Sequence, residues 1–413
     1  MITAVSRIRT APGVRLRRED FGAVAYVPST GRVHALDREH ADVALDPGRG
    51  ADPAQRDVAS RLAAAGIVDV SRAPSPAPGR ASALLGSFPT PPVAALPLVV
   101  NCLVTAFCAL RCRYCHADDL MGPFQAGESA ADVPRIVATA SAVPALVAVV
   151  AGGDPAVRPE RARTVIEALA PDKAVVVDSS GVGDLGSLLP VLREAGGHLR
   201  VSLDTPDAGS NDRIRPVAGR FQRMYGVTGA YDAARRAIGS ALAAGVPTTV
   251  QTVVGAHNED PGVLLRLGGQ LRALGVRGWV LHVMVPAGKA ARPGNAGLAA
   301  SPGVLETLAA VAAEAPLDVR ITATHRRPNA VLLVNSRGDL YVEGGGVTGK
   351  TMVAASGAGR AELVREFVSR VDLAAHSARY LDGDSAAGST APTASRANAI
   401  SSSDASPGSV SQA

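Results

Sequence analysis

Three of the four cysteines in this chain lie close together, in the stretch CALRCRYCHADD. Cys108, Cys112 and Cys115 are spaced C-x₃-C-x₂-C, and Cys102 stands alone before them. A structural zinc site is usually built from two ligand pairs separated by a dozen or more residues, and neither Cys102 nor His116 makes a second pair. Three thiolates in one tight loop instead suit a [4Fe–4S] cluster in which one iron has no protein ligand. That open iron could bind a small molecule.

Small and polar residues follow several apolar runs further along the chain. LVAVVAG ends in the stretch Gly152-Gly153-Asp154-Pro155, and AVVVDSS ends in a serine pair that includes Ser179. LRVSLD carries Ser202 and Asp204 at its end. Because the C-terminal ends of barrel strands face one pocket, we expect these residues to lie near one another.

The cysteine spacing, placed directly after a predicted strand, resembles the motif of the radical S-adenosylmethionine (radical SAM) superfamily. Tyr114, the aromatic residue before the third cysteine, and the GGDP stretch extend the resemblance, although Asp154 stands where the family usually has Glu. The resemblance covers about residues 98–330. It implies that the three cysteines hold the cluster. It also implies that SAM is contacted by Tyr114, Gly152, Gly153, Asp154, Pro155, Ser179, Ser202 and Asn258.

In that family SAM is cleaved reductively, and the 5′-deoxyadenosyl radical abstracts a hydrogen atom from the substrate. The resemblance therefore implies an enzyme whose cofactors are a [4Fe–4S] cluster and SAM, with an electron donor such as flavodoxin or ferredoxin. Asp204 and His282 are our candidates for contacts with the substrate, since both lie on strands whose ends would face the pocket.

Short β-rich runs alternate with helical runs through the middle of the chain. Seven strand candidates cover 98–104, 146–152, 174–180, 199–204, 248–254, 279–285 and 317–323. This alternation predicts parallel β/α units. Together with the resemblance, it gives an α/β fold with a partial (β/α)6 TIM-type barrel over residues 97–330. Residues 331–381 are predicted to cap the barrel, through a hairpin at 330–342 and a last helix at 364–381.

Residues 1–72 have the pattern of a small winged-helix-like domain. Two alternating runs around Pro28–Gly31 predict a hairpin, Asp37 and Asp52 begin two helical stretches, and IVDV closes the unit. The pattern resembles the PqqD-like RiPP recognition element. That domain binds leader segments of ribosomally synthesised and post-translationally modified peptides (RiPPs) by strand addition. Residues 73–96 are Pro-rich and predict a linker.

The two resemblances together imply a maturase of a precursor peptide, which would be crosslinked, epimerised or rearranged in its backbone. No cysteine follows Cys115, so auxiliary clusters of the kind that many peptide-modifying relatives carry in a C-terminal extension are not expected. Two alternatives remain open at this point. One is a radical SAM enzyme with a small-molecule substrate, and the other is a non-catalytic metal-cluster scaffold that binds peptides.

Composition and charge exclude several other classes. The net charge of +5 comes mainly from scattered arginines, with no basic block that predicts nucleic-acid binding. The N-terminus lacks a signal-peptide core and the apolar runs are too short to span a bilayer, so we expect a cytoplasmic protein with no membrane partner. Gly344–Thr351 fits the phosphate-binding P-loop pattern, but the following residues predict no helix. Residues 382–413 are rich in Ser, Ala and Gly and predict a disordered tail.

Overall fold

The structure is a computed structural model that describes residues 8–47, 55–70, 83–118, 127–323, 329–343, 350–357, 359, 362, 365–366 and 370–381. An N-terminal unit precedes a large parallel sheet. The predicted tail, 382–413, lies outside the described residues. In the part of the chain that is described, we find no helix long and apolar enough to cross a membrane.

The N-terminal unit consists of six short strands and two helices. They are β1 (Ile8–Thr10), β2 (Arg15–Glu19), β3 (Gly22–Val27), β4 (Arg32–Asp37), α1 (Arg38–Leu45), α2 (Gln55–Ala64), β5 (Val68–Val70) and β6 (Leu84–Leu85). The predicted hairpin is β3–β4, and Asp37 begins α1 by accepting a hydrogen bond of 3.0 Å from the His40 amide. A four-stranded sheet has the order β2-β3-β4-β6, and β1 pairs with β5.

Half of the predicted linker is part of this unit. Residues 71–82 lie outside the described residues, but Leu84 and Leu85 pair in parallel with Ala35 and Leu36. Ala94 is fully buried and donates a hydrogen bond of 2.9 Å to Ser377 Oγ. Residues 83–96 therefore pack against the protein and do not act as a spacer. Proline and glycine content alone could not reveal this, because the partners lie far away in the sequence.

The second unit is built from seven parallel strands. They are β7 (Val99–Thr105), β8 (Val147–Gly152), β9 (Ala174–Ser179), β10 (His198–Ser202), β11 (Thr248–Val254), β12 (Gly278–Val283) and β13 (Asp318–Thr322). The helices between them are α3 (Asp132–Ala142), α4 (Pro159–Leu169), α5 (Leu189–Glu194), α6 (Ala208–Ile214), α7 (Gly219–Tyr225), α8 (Ala230–Ala243), α9 (Pro261–Ala273) and α10 (Val304–Glu314). All seven predicted strands are present, each within two residues of its predicted bounds.

The sheet continues beyond β7 through three further strands. These are β14 (Val331–Val334), β15 (Leu340–Glu343) and β16 (Lys350–Ala354), and the full order is β13-β12-β11-β10-β9-β8-β7-β14-β15-β16. The predicted hairpin at 330–342 is β14–β15, and β14 runs parallel to β7. β16 begins where a P-loop would need a helix, and the preceding glycine-rich residues, 344–349, lie outside the described residues. The last helix, α11, spans Leu373–Leu381.

Side chains on the parallel strands alternate between two environments. Outward-facing residues such as Val201, Leu281 and Ile321 join the apolar core beneath the helices. Inward-facing residues on β9 to β13 are mostly polar, namely Asp178, His198, Arg200, Ser202, Thr249, Gln251, His282, Arg320 and Thr322. The interior of the barrel is therefore polar on the side of β9 to β13, whereas β7 and β8 contribute mostly apolar residues such as Val99, Leu103 and Val149.

The β3–β4 hairpin closes the end of the barrel where the strands begin. Tyr26 and Val33 pack with Val99 and Val147, near the starts of β7 and β8. At the turn, the Pro28 carbonyl accepts a hydrogen bond of 2.5 Å from His198 Nδ1, at the start of β10. The two units thus share a buried contact, and the N-terminal sheet forms the floor of the barrel.

Candidate active site

A cavity of about 310 Å³ lies at the C-terminal ends of the parallel strands. The loop after β7 contributes all three clustered cysteines to its wall. The ends of β8, β9, β10 and β12 contribute Gly152, Gly153, Asp154, Ser179, Ser202 and His282. Its size is at the lower end of the range typical of small-molecule sites. The cysteine motif and most of the strand-end residues predicted from the sequence therefore meet in one space.

The cysteine loop is held from both sides by backbone hydrogen bonds. The amides of Arg111 and Arg113 donate to the carbonyls of Pro216 and Ile214, at 2.8 and 3.0 Å. The Cys115 carbonyl accepts a hydrogen bond of 2.9 Å from the Lys289 amide, in the segment after β12. These contacts fix the loop even though it has no regular secondary structure.

Two glycines allow the cysteine loop to lie against the end of β8. Gly152 has a φ of +145°, and a Cβ atom there would lie 2.4 Å from the Thr105 carbonyl oxygen. A Cβ atom at Gly153 would lie 2.0 Å from the Phe107 carbonyl oxygen. Both atoms are backbone and cannot move aside cheaply. The glycines are thus required by the close approach of the chain that leads into Cys108.

Asp154 joins the ends of β8 and β9. Its carboxylate accepts hydrogen bonds from the Ala156 amide at 3.0 Å, from Ser179 Oγ at 2.9 Å, and from the amide and Oγ of Ser180 at 2.9 and 2.5 Å. Burial raises the pKa of Asp154, and these donors oppose that rise. The carboxylate therefore organises the cavity wall, and Ser179 is held by it. Pro155, the next residue, is buried and does not line the cavity.

Tyr114 belongs to a buried polar network under the cysteine loop. Its hydroxyl donates to Asp204 Oδ2 and accepts a hydrogen bond of 2.5 Å from Arg215 Nη1. Arg215 also lies 3.5 Å from Asp204. The ring of Tyr114 lines the cavity, whereas Asp204 lies behind it and is fully buried. Asp204 is thus placed to hold Tyr114 and Arg215, and it does not face the cavity as our substrate-contact prediction would require.

Asn258 uses its side chain to hold the ends of β10 and β11. Its Nδ2 donates to the carbonyls of Asp204 and Val253 at 2.9 and 3.0 Å, and its Oδ1 accepts from the Gly255 amide at 3.0 Å. It is buried and does not line the cavity. Its contribution to a SAM site would therefore be indirect.

His282 and several residues that the sequence analysis missed face the deeper part of the cavity. His282 Nδ1 lies 2.6 Å from Thr322 Oγ1, and burial lowers the pKa of His282 well below its ordinary value, so the ring is neutral. Arg200 forms a bidentate pair with Asp178, at 2.7 and 2.6 Å, and Gln251 donates to Ser202 Oγ at 3.0 Å. A signal for these residues was present, because each is polar at every second position of an otherwise apolar strand.

The three clustered thiols fit a shared metal cluster. None is in a disulfide, and they line one cavity. Burial raises the pKa of all three, that of Cys115 to about 11, while the positive charge of Arg215 lowers the pKa of Cys112. Bound iron would supply the charge that buried thiolates need. By contrast, Cys102 is fully buried in β7 among apolar side chains. Within the described residues, no three His, Cys, Asp or Glu side chains are arranged to hold a single metal ion.

Comparison with known proteins agrees with this geometry. Residues 102–266 match the family model of the Radical SAM superfamily. Residues 102–266 thus resemble a family whose members use a [4Fe–4S] cluster and SAM as cofactors. It is 29% identical over 192 residues to an AdoMet-dependent heme synthase of Nitratidesulfovibrio vulgaris, covering 46% of this chain and 48% of that protein. The corresponding protein of Oleidesulfovibrio alaskensis is 27% identical, with 46% of each chain covered. This chain thus spans about half the length of the curated relatives it matches.

The chain is also similar to solved structures, to different degrees. The structure of anSMEcpe with bound AdoMet and the Kp18Cys peptide superimposes with a TM-score of 0.51 at 12% identity, covering 67% of this chain and 83% of the other. Streptococcus suis SuiB bound to the precursor peptide SuiA gives a TM-score of 0.46 at 14% identity, with 80% and 82% covered. At these identities the likeness concerns the fold alone.

Proposed function

We propose that this protein is a radical SAM enzyme that modifies a precursor peptide. One observation supports the enzymatic part of the proposal. Cys108, Cys112 and Cys115 line a single cavity together with the C-terminal ends of β8, β9, β10 and β12. A scaffold that only captured peptides would need the thiols but not the strand-end wall. A [4Fe–4S] cluster held by these three cysteines would supply the electron for reductive cleavage, and SAM bound beside it would supply the hydrogen-abstracting radical.

The residues of this chain have three tasks in that reaction. Gly152 and Gly153 let the cysteine loop lie close to the end of β8, so the cysteines would hold a cluster beside that strand end. The carboxylate of Asp154 holds Ser179 and Ser180 at the next strand end. Arg215 and Tyr114 are fixed beneath the loop by Asp204, so their side chains need no rearrangement when ligands bind.

Apolar side chains shield the reaction space from water. Leu103, Leu110, Val283, Met284, Val331 and Leu333 line the cavity together with the polar strand ends. A radical that meets solvent or a loose side chain is lost to side reactions, so a dry wall around the reacting atoms protects it. The partial barrel provides this wall from β7 and β12 and from the added strand β14.

The peptide part of the proposal is supported by the N-terminal sheet. β2 is the longer of its two outer strands and pairs on one side only, with β3, among the residues described. An outer strand with unpaired backbone groups is the element to which an extended peptide can add. Arg18, on β2, is largely exposed and lies 3.7 Å from the exposed Asp42, with which an acidic residue of a peptide could compete.

A small-molecule substrate is the second candidate. It is favoured by the curated relatives, which are named AdoMet-dependent heme synthases and match over 192 residues. On that reading the N-terminal sheet would serve only as the floor of the barrel. A precursor peptide would bind to β2 and a small molecule would not, and this difference can be measured.

The first experiment tests the radical chemistry. The protein is purified without oxygen, reconstituted with iron and sulfide, reduced, and mixed with SAM. We expect about four irons per chain and formation of 5′-deoxyadenosine, both lost in Cys112→Ala. The matched control is Cys102→Ala, which removes a buried thiol outside the cavity and should keep both. Tightly bound zinc without deoxyadenosine would overturn the proposal.

The second experiment tests the substrate class by amide hydrogen exchange. We expect the outer amides of Arg15–Glu19 to become protected when a short precursor peptide encoded beside this protein is added. A porphyrin should leave them unchanged. Protection only at the cavity, with turnover of the porphyrin, would favour the small-molecule candidate.

A further inference from the structure

The floor of the barrel holds a second, small cavity of about 50 Å³. It is enclosed by Tyr26 and Val33 from the N-terminal sheet, by Arg200, His282 and Arg320 from the barrel strands, and by Arg379 and Tyr380 from α11. Asn101, Arg200, His282 and Arg379 line both this cavity and the larger one. The two spaces are therefore adjacent, and the small one extends the reaction cavity toward the floor.

Three buried polar atoms around this floor cavity lack a hydrogen-bond partner among the residues described. They are Tyr26 Oη, Arg320 Nε and His282 Nε2. Burial raises the pKa of Tyr26, so its hydroxyl stays protonated and can donate. Leaving a buried polar atom without a partner destabilises the folded protein, so three of them around one space require an explanation.

The charge around the floor cavity is also unbalanced. No Asp or Glu is among the residues that line it. Arg200 is neutralised by its bidentate pair with Asp178, and the nearby Asp318 is taken by Arg32 at 2.6 Å. Arg320 has no ion-pair partner within the described part of the chain. Burial, with Arg200, Arg32 and Arg379 nearby, lowers the pKa of Arg320 to about 9. Its guanidinium remains charged at neutral pH.

We propose that the floor cavity is a carboxylate subsite, in which a carboxylate arm reaching down from the reaction cavity binds Arg320, Tyr26 and His282. The space suits one small planar group better than a whole molecule, and a guanidinium with a nearby hydroxyl is a usual partner for a carboxylate. That the carboxylate belongs to the substrate rests on the proposed function. Its source would be an acidic side chain of a peptide or the acid arm of a small molecule.

Binding can be measured directly on the reconstituted protein. The probe is propionate labelled with ¹³C at the carboxyl carbon. Its binding is followed by NMR while propionate replaces chloride, so that the ionic strength stays constant. We expect millimolar binding that weakens at least tenfold in Arg320→Met and severalfold in Tyr26→Phe, which only removes the hydroxyl. The matched control is Arg193→Met, an exposed arginine on α5, and it should bind propionate as the wild type does.

Two peptides separate the possible sources. Ac-Gly-Glu-Gly-NH₂ is compared with Ac-Gly-Gln-Gly-NH₂ in the same titration. Binding of the Glu peptide alone, lost in Arg320→Met, would assign the subsite to a peptide side chain. Binding of propionate alone would assign it to a small acid.

The subsite proposal would be wrong if propionate bound equally well to the Arg320→Met variant. It would also be wrong if chloride competed for the site as strongly as propionate binds. The outcome is independent of the proposed function, because deoxyadenosine formation can succeed while propionate fails to bind, and the reverse.

Discussion

Arg32 and Asp318 are joined by two parallel hydrogen bonds of 2.6 Å, between the β3–β4 hairpin and the first residue of the last parallel strand. The residues are 286 positions apart in the chain. Both side chains are largely buried, with exposed fractions of 15% and 10%. This pair attaches the N-terminal sheet to the barrel at the side opposite β7.

We expect Asp318→Asn to destabilise the protein by about 3 kcal/mol, because it leaves the Arg32 charge buried without its counter-ion. The midpoint of urea unfolding measures this. The control is Glu167→Gln, which breaks the exposed pair with Arg163 and should leave the urea midpoint nearly unchanged. Equal effects of the two substitutions would show that the hairpin is not held by this pair.

Gly153→Ala should displace the cysteine loop. The new methyl group would lie 2.0 Å from the Phe107 carbonyl oxygen, and the loop cannot shift without moving Cys108. We expect a loss of about 1–3 kcal/mol in stability and severalfold less iron after reconstitution. Gly239→Ala, on α8, is the matched control because a methyl group there meets no atom within 4 Å. It should leave iron content unchanged and stabilise the helix by up to about 1 kcal/mol. Full iron content in Gly153→Ala would contradict the role assigned to that glycine.

Tyr114→Phe should weaken the buried network while keeping the cavity wall. The ring that lines the cavity remains, but Asp204 Oδ2 loses its donor. We expect a cost of about 1–3 kcal/mol with normal iron content. Tyr225→Phe, outside the network, should change stability by less than about 0.5 kcal/mol. A stability of Tyr114→Phe equal to that of the wild type would mean that the hydroxyl is not needed to hold Asp204 and Arg215.

Acid should weaken the protein through two buried, neutral histidines. Burial lowers the pKa of His198 and His376 to about 4. His376 Nε2 accepts from the Leu98 amide at 2.8 Å, so a proton on that nitrogen would face another donor. In the unfolded chain both rings take up protons near pH 6.5, and the folded state does so only near pH 4. Their contribution is complete above pH 6.5 and is lost as the pH falls toward 4.

The expected loss between pH 7 and pH 5 is on the order of 2 kcal/mol per histidine. Urea midpoints at the two pH values measure it. His376→Gln should be less stable at pH 7 but lose less on acidification than the wild type. Parallel pH curves for the two proteins would mean that His376 does not contribute.

The sequence predicted the strands well, and the reason is local. β7, β8 and β9 are mostly apolar runs rich in valine, and β10 to β13 alternate apolar with polar residues, so the residue pattern and the flanking turn residues are enough to predict them. The cysteine loop could also be predicted, because three cysteines spaced this closely form few kinds of site. The GGDP stretch could also be recognised in the sequence. Its glycines were predicted to contact SAM, and in the structure they allow the cysteine loop to lie close to the end of β8.

What the sequence could not give depends on contacts between distant segments. Nothing in the β3–β4 hairpin indicates that Pro28 meets His198, or that Leu84 would add a strand to β4. The roles of Asp204 and Asn258 were also out of reach, because a polar residue at a strand end can face the cavity or turn inward to the backbone. The orientation of the Asp204 and Asn258 side chains is set by their hydrogen-bond partners, which are Tyr114, Arg215 and backbone groups of other elements.

The position of the N-terminal sheet sets a minimum reach for any peptide held at β2. The sheet lies where the parallel strands begin, and the cysteines lie where they end. The longest of these strands, β7 and β11, have seven residues, which at about 3.3 Å each corresponds to roughly 23 Å of barrel height. A bound segment and the reacting residue must then be separated by at least about seven extended residues, and by more if the chain goes around the outside. Such a protein would choose its reacting residue partly by counting along the substrate, so shortening the spacer would move or abolish the modification even if the reacting residue were unchanged.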